Sequence, residues 1–324
     1  MRASEFNPEA FPRGGVHRLM LEVEGAGAGI ALPVLLVRGE RPGHRLVATA
    51  AVHGDEYEGV RAIHEVVDEL DPSGMTGDLL ACPVANPPAF WSGTRTSPLD
   101  GANLARVFPG SLEKGPSDAV AHALGQAIIA HADLYIDLHS GGVKWRMPSM
   151  VGYYTGDSRS AAAARAFGAR VLWGHPVLTE GRTISFAWSR GIPWLYTEAR
   201  GAGRIHAEDL AMMKRGLRNL LAHLEVLPSG PGPWPVELHL HGDGNVDKGL
   251  SSTQRGFFMP AVEFLDEVTA GQVLGRLIDP LGATLETYTA PVGGRVALLR
   301  QFPVVEQDEP LFLIAQEWRG GDGG

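Results

Sequence analysis

Leu46-Val47-Ala48-Thr49-Ala50-Ala51-Val52-His53-Gly54-Asp55-Glu56 opens the stretch that decides the fold, and Tyr57 to Leu70 completes it. Leu46 to Val52 is an apolar run of strand length, whereas Val60, Ile63, Val66, Val67 and Leu70 recur at the spacing of one helix face. The turn at His53-Gly54-Asp55-Glu56 therefore sits at the carboxyl end of a strand. The alternation repeats outward from there. Leu79 to Val84 reads as a strand, Asp118 to His131 as a helix with Ser117 at its N-cap, and Leu134 to Leu138 as a further strand. Ile192 to Thr197 is another strand and delivers Glu198 at its end. This predicts an α/β fold with a mixed, largely parallel sheet flanked by helices. In such sheets, ligands gather at the carboxyl ends of the strands.

The chain has 324 residues, enough for two domains. His206 to Val226 forms an amphipathic helix that Pro228-Ser229-Gly230-Pro231-Gly232-Pro233-Trp234-Pro235 cannot continue. A boundary is expected there, with a catalytic α/β domain over 1–228 and a smaller, barrel-like β domain over 229–324. Short alternating runs with turns such as Gly271 to Gly275 and Pro291 to Val296 support the second assignment. Hairpins of this kind also occur in lipoyl and biotinyl carriers, but those need a lysine at a hairpin tip, and none lies between Arg255 and Arg295.

A 44% apolar and 20% charged composition is that of an ordinary globular chain, and a formal charge of -9 without basic runs argues against nucleic acid. No apolar run approaches the roughly 20 residues a bilayer requires, and Met1 to Gly15 lacks a signal-like apolar core. Cys82 is the sole cysteine, so no internal disulfide can form. A cytoplasmic protein without a membrane partner is expected. A homo-oligomer is compatible with these features, which fix no oligomeric state.

A catalytic zinc commonly takes three protein ligands and leaves one position open, and two histidines with a glutamate are a standard set. His53 and Glu56 lie three apart on one turn, and His139 in Asp137-Leu138-His139-Ser140-Gly141-Gly142 offers a distant third ligand. Asp137 is placed to orient an imidazole. The alternative for each histidine is a single hydrogen bond in a loop. Asp55 and Glu58 read as acids at a helix start rather than ligands.

Taken in order, His53-Gly54-Asp55-Glu56, Asn86-Pro87, Arg95 to Gly110, Asp137-Leu138-His139-Ser140 and Glu198 resemble the succinylglutamate desuccinylase and aspartoacylase family, which is related to the zinc carboxypeptidases. The resemblance implies one zinc ion per chain on His53, Glu56 and His139, with Glu198 as general base. It also implies that Arg95 stabilises the oxyanion and that Arg106 clamps a substrate carboxylate. Where the family commonly reads Asn-Leu-Asn-Arg, this chain has Asn103-Leu104-Ala105-Arg106, so Asn103 is the candidate to replace the missing amide in substrate binding. The alternative for the arginines is a solvated surface fork. For Glu198 it is a salt bridge with Arg200 or Arg204. Lys144, Trp145 and Arg146 lie either at the pocket or on a surface loop.

The expected activity is hydrolysis of an amide bond in a small N-acyl amino acid or related N-acylated amine. A zinc carboxypeptidase acting on peptides and a non-catalytic metal-binding protein are the alternatives.

Overall fold

The computed structural model describes residues 1–27 and 29–318. The chain runs β1 (Gly15–Glu22), β2 (Ala31–Arg38), β3 (Arg41–Ala50), α1 (Glu58–Glu69), β4 (Thr76–Cys82), α2 (Pro87–Ser92), α3 (Pro116–Ala123) and β5 (Leu134–Leu138). It continues through β6 (Trp145–Arg146), β7 (Met150–Tyr154), α4 (Ser158–Phe167), β8 (Val171–His175), α5 (Thr183–Ser189), β9 (Trp194–Glu198), α6 (Ala207–His223) and β10 (Leu238–His241). In the large sheet these strands run in the order β1-β2-β4-β3-β5-β9-β7-β8-β10, and the sheet continues beyond β10 into strands near the C-terminus. Its centre, β4-β3-β5-β9, is parallel, while β1, β2 and the β9–β7 pair introduce antiparallel neighbours. This is the mixed, largely parallel sheet expected.

Side chains alternate across the sheet with period two. Leu46, Ala48 and Ala50 of β3 join Ile63 and Val66 of α1 and Met213 and Leu217 of α6 in one core. Val47 faces the opposite core with Val120 of α3 and Phe186 of α5. The helical stretch before β5 differs from expectation. It starts at Pro116 after Gly115 and breaks into a π-turn at Leu124–Ile128 and a 3-10 turn at Ile129–His131. Ser117 is not the N-cap, because the Asp100 carboxylate accepts from both its backbone N–H and its hydroxyl. The cap therefore comes from a residue that is distant in sequence.

Beyond the proline-rich stretch the chain first returns to the large sheet. β10 pairs in parallel with β8 and antiparallel with the final strand. The remaining strands are β11 (Leu250–Ser251), β12 (Gly256–Pro260), β13 (Glu267–Val268), β14 (Val273–Ile278), β15 (Thr284–Thr289), β16 (Gly294–Arg300), β17 (Val304–Val305) and β18 (Pro310–Glu317). Of these, β15-β14-β12-β17 make a separate four-stranded sheet over a core around Phe258, Leu277 and Phe312. Among the described residues, no helix is long and apolar enough to cross a membrane.

Candidate active site

Because β3, β5 and β9 are adjacent and parallel, the loops after them open at one place. His53 and Glu56 follow β3, Asp137 and His139 come from the end of β5, and Glu198 is the last residue of β9. One ligand atom each from His53, Glu56 and His139 lies within 4.8 Å of the others. Both imidazoles present Nδ1 to the Glu56 carboxylate, His53 at 2.8 Å and His139 at 2.9 Å. Their far nitrogens are held from behind. His139 Nε2 donates to Asp137 at 2.9 Å, and His53 Nε2 donates to Asn103 Oδ1 at 3.2 Å. This fixes Nδ1 as the outward nitrogen of each, as in sites where a carboxylate or amide orients a metal-binding histidine.

Asp137 is fully buried and also accepts from Thr49 and Thr183 hydroxyls at 2.7 and 2.5 Å. Burial opposes its charged form, but His139 and these donors hold its carboxyl below the usual range. The same balance acts on Glu56, where burial is outweighed by the two imidazoles. Burial and then Arg95 push His53 down to about 4, whereas Asp137 and Glu56 overcome burial to raise His139. Two outward imidazole nitrogens and a carboxylate form a donor set that suits a divalent transition metal.

Glu198 is different. Its Oε2 is buried without a hydrogen-bond partner, and burial, followed by the charge of Glu56, pushes its pKa up to about 8. It is not tied up by Arg200, which pairs with Asp209 at 3.1 Å and with Glu208. Glu198 lines a cavity together with His53, Arg95, His139, Arg182 and Tyr196.

The arginines divide. Arg95 lies 3.1 Å from Glu56 Oε1 and 5.1 Å over the Trp145 ring, beside the histidine pair. Arg106 lines the cavity but is already paired with Asp247 at 2.9 Å, from the loop after β10. Arg182, which the sequence reading did not single out, also lines it. It donates to Asn245 at 3.1 Å, its Nε is buried without a partner, and burial and then Arg106 lower its pKa. Asn103, expected among the substrate-binding groups, turns its carboxamide oxygen to His53 and to the Ala105 N–H. Lys144 and Arg146 pair with Glu309 and Glu263 and so tie this loop to the C-terminal strands. Asp55 lies outside the His53, Glu56 and His139 cluster. It accepts from the Val143 N–H at 3.1 Å and so joins the loop after β3 to the loop after β5.

Residues 42–224 match the succinylglutamate desuccinylase/aspartoacylase catalytic domain. The chain belongs to this family. It is 30% identical over 323 residues to the N-alpha-acetyl-L-2,4-diaminobutyric acid deacetylase of Halomonas elongata, covering 96% of this chain and 93% of that protein. Among solved structures, a succinylglutamate desuccinylase from a Silicibacter species superposes with a TM-score of 0.84 at 26% identity, covering 95% of this chain and 97% of the other. The product-bound ectoine utilization protein EutE of Ruegeria pomeroyi also gives 0.84, at 27% identity over 94% and 96% of the two chains. These likenesses extend through the C-terminal strands, well past the catalytic-domain match.

Proposed function

We propose that this family member is a zinc-dependent deacylase that hydrolyses the amide bond of a small N-acyl amino acid. The observation that carries this reading is Glu198, a buried carboxylate with an unpartnered oxygen in the same cavity as the His53, Glu56 and His139 cluster. The Halomonas elongata relative, named as a deacetylase of an N-acetylated diamino acid, supports the substrate class.

In this reading His53, Glu56 and His139 hold one zinc ion. Zinc bound there would acidify water towards a pKa of about 7 and polarise the amide carbonyl. Glu198 takes the proton from the attacking water and passes it to the leaving nitrogen. Arg95, fixed by Glu56 and Trp145, offers its guanidinium to the developing oxyanion. Arg182 binds the substrate carboxylate. A buried guanidinium with an unpartnered Nε has a strong claim on an anion, whereas Arg106 already has one in Asp247. Asn103 and Asp137 orient the two histidines. Residues 1–228 supply the reacting groups, and the segment beyond them narrows the entrance and so favours small substrates over peptides.

The test is amine release from N-acetyl, N-succinyl and N-formyl amino acids and from dipeptides, using zinc-loaded and chelator-stripped protein after metal analysis. Zinc-dependent cleavage of an N-acyl amino acid is expected. Cleavage of dipeptides alone would make the chain a carboxypeptidase, and zinc binding without any cleavage would leave only a metal-binding role.

A further inference from the structure

The cavity contains a polar device that the proposed reaction leaves unused. Tyr196 precedes Glu198 by two residues on β9, so both side chains leave the same face, with Cα atoms about 6.6 Å apart. The Tyr196 hydroxyl lies 2.8 Å from His175 Nε2, and His175 Nδ1 lies 2.8 Å from the Gly242 carbonyl. A carbonyl oxygen only accepts, so Nδ1 carries the hydrogen. Burial holds the His175 pKa at about 4, which keeps the ring neutral and leaves Nε2 bare. The hydroxyl of Tyr196 therefore gives its one proton to His175 and keeps only lone pairs for a substrate.

The ring is fixed where it stands. Gly152 of β7 is in register with Tyr196, and a Cβ at Gly152 would fall 2.0 Å from the tyrosine Cε1. Any other residue at position 152 would push the ring out.

Charge gives the second, independent observation. Of the two guanidinium groups on this side of the cavity, Arg106 is neutralised by Asp247, and only Arg182 is free of an acidic partner among the described residues. One open cation matches one carboxylate. A second carboxylate on the substrate would meet the Tyr196 lone pairs and would find Arg106 already paired with Asp247.

We infer that the substrate amino acid has a side chain ending in a nitrogen donor, an amine or amide, and that Tyr196 selects it by accepting a hydrogen bond from that group. This rests on the deacylase reading above. His175 is a positioning residue in this arrangement, setting the direction of the hydroxyl without touching the substrate. A dicarboxylic N-acyl amino acid is the substrate that this wall rejects.

The test compares kcat/KM for three N-acetyl amino acids. These are N-acetyl-2,4-diaminobutyrate, N-acetylnorvaline, which has a methyl in place of the terminal amine, and N-acetylglutamate. The wild type is expected to prefer the first over the second by at least about tenfold, since a buried acceptor left unpaired is costly. Tyr196→Phe should shrink that ratio towards one. Asp247→Asn, at an exposed position, should raise the rate on N-acetylglutamate relative to the diamino compound at least about fivefold by freeing Arg106. A wild type that cleaves N-acyl amino acids without preferring the diamino compound would overturn this inference alone, as would a Tyr196→Phe variant that loses all activities in equal proportion. A zinc-loaded wild type that cleaves no N-acyl amino acid would remove the deacylase reading and this inference together.

Discussion

The wall of the cavity that carries His53, Glu56 and His139 is held largely by its own members, whereas the wall that carries Arg106, Arg182 and Tyr196 is held from a later segment of the chain. On the first wall the contacts run mainly between neighbouring strand ends, with Asn103 behind His53 and Arg95 on Glu56 added from the stretch after α2. Glu56 joins both histidines, Asp137 backs one of them, and the Ser140 N–H closes on Glu56 at 3.2 Å. On the second, Asp247 meets Arg106, Asn245 meets Arg182 and Gly242 meets His175, so three separate residues depend on the single loop after β10. The difference separates chemistry from choice of substrate. In the proposed reaction the carboxyl ends of β3, β5 and β9 supply the reacting groups, and a later segment adjusts what reaches them.

The largest effect that can test this division is expected from Glu198→Gln. It should lower kcat by about 1,000-fold or more while zinc content, measured by elemental analysis, stays at one per chain. Loss of the metal along with activity would mean that Glu198 belongs to the metal wall. Next is Arg182→Leu, expected to lower kcat/KM for an N-acyl amino acid by about 10-fold to 100-fold, mainly through KM, with metal affinity unchanged. A kcat effect of the same size would place Arg182 in the chemistry instead. Asp137→Asn lies on the other side of the comparison. It should weaken zinc binding by about 10-fold to 100-fold in a competition titration and leave the ranking of substrates as it was.

The smallest effect concerns metal-free protein. The folded-state pKa of Glu198 is raised from 4.5 to about 8, chiefly by burial, so the folded chain keeps a proton that the unfolded chain releases. The associated stability is fully present below pH 4.5 and is lost as pH rises to about 8. Thermal denaturation of Glu198→Gln should lack this component. Its melting temperature should therefore gain on that of the wild type between pH 5 and pH 8. A constant difference across that range would mean that Glu198 already ionises in the folded protein at low pH.

The first wall was largely legible in the sequence because a strand followed at once by a turn puts its candidate ligands where a neighbouring parallel strand puts the others. His53, Glu56 and His139 needed only the strand assignments and the family motifs to be gathered. Asp137 followed from its place two residues before His139. Arg182 was not legible, since Gly181-Arg182-Thr183 carries no periodic or motif signal and gains meaning only from lining the same cavity as Glu198. The pairing of Arg106 with Asp247 spans 141 residues and no local pattern announces it. Ser117 misled for a related reason. A serine before an apolar helix reads as a cap, but Pro116 starts the helix one residue earlier and Asp100 provides the capping oxygens.

The return of β10 to the edge of β8 has a consequence for synthesis of the chain. As the polypeptide leaves the ribosome, helices α1 to α6 and the sheet from β1 to β9 can all be assembled while the β8 edge is still bare. A nascent chain that has emerged only as far as residue 228 thus exposes the open backbone of β8 and lacks Gly242, Asn245 and Asp247. Until those residues emerge, the strand edge is open to pairing with another nascent chain, a hazard that ends when Leu238–His241 docks and completes the pocket in the same step.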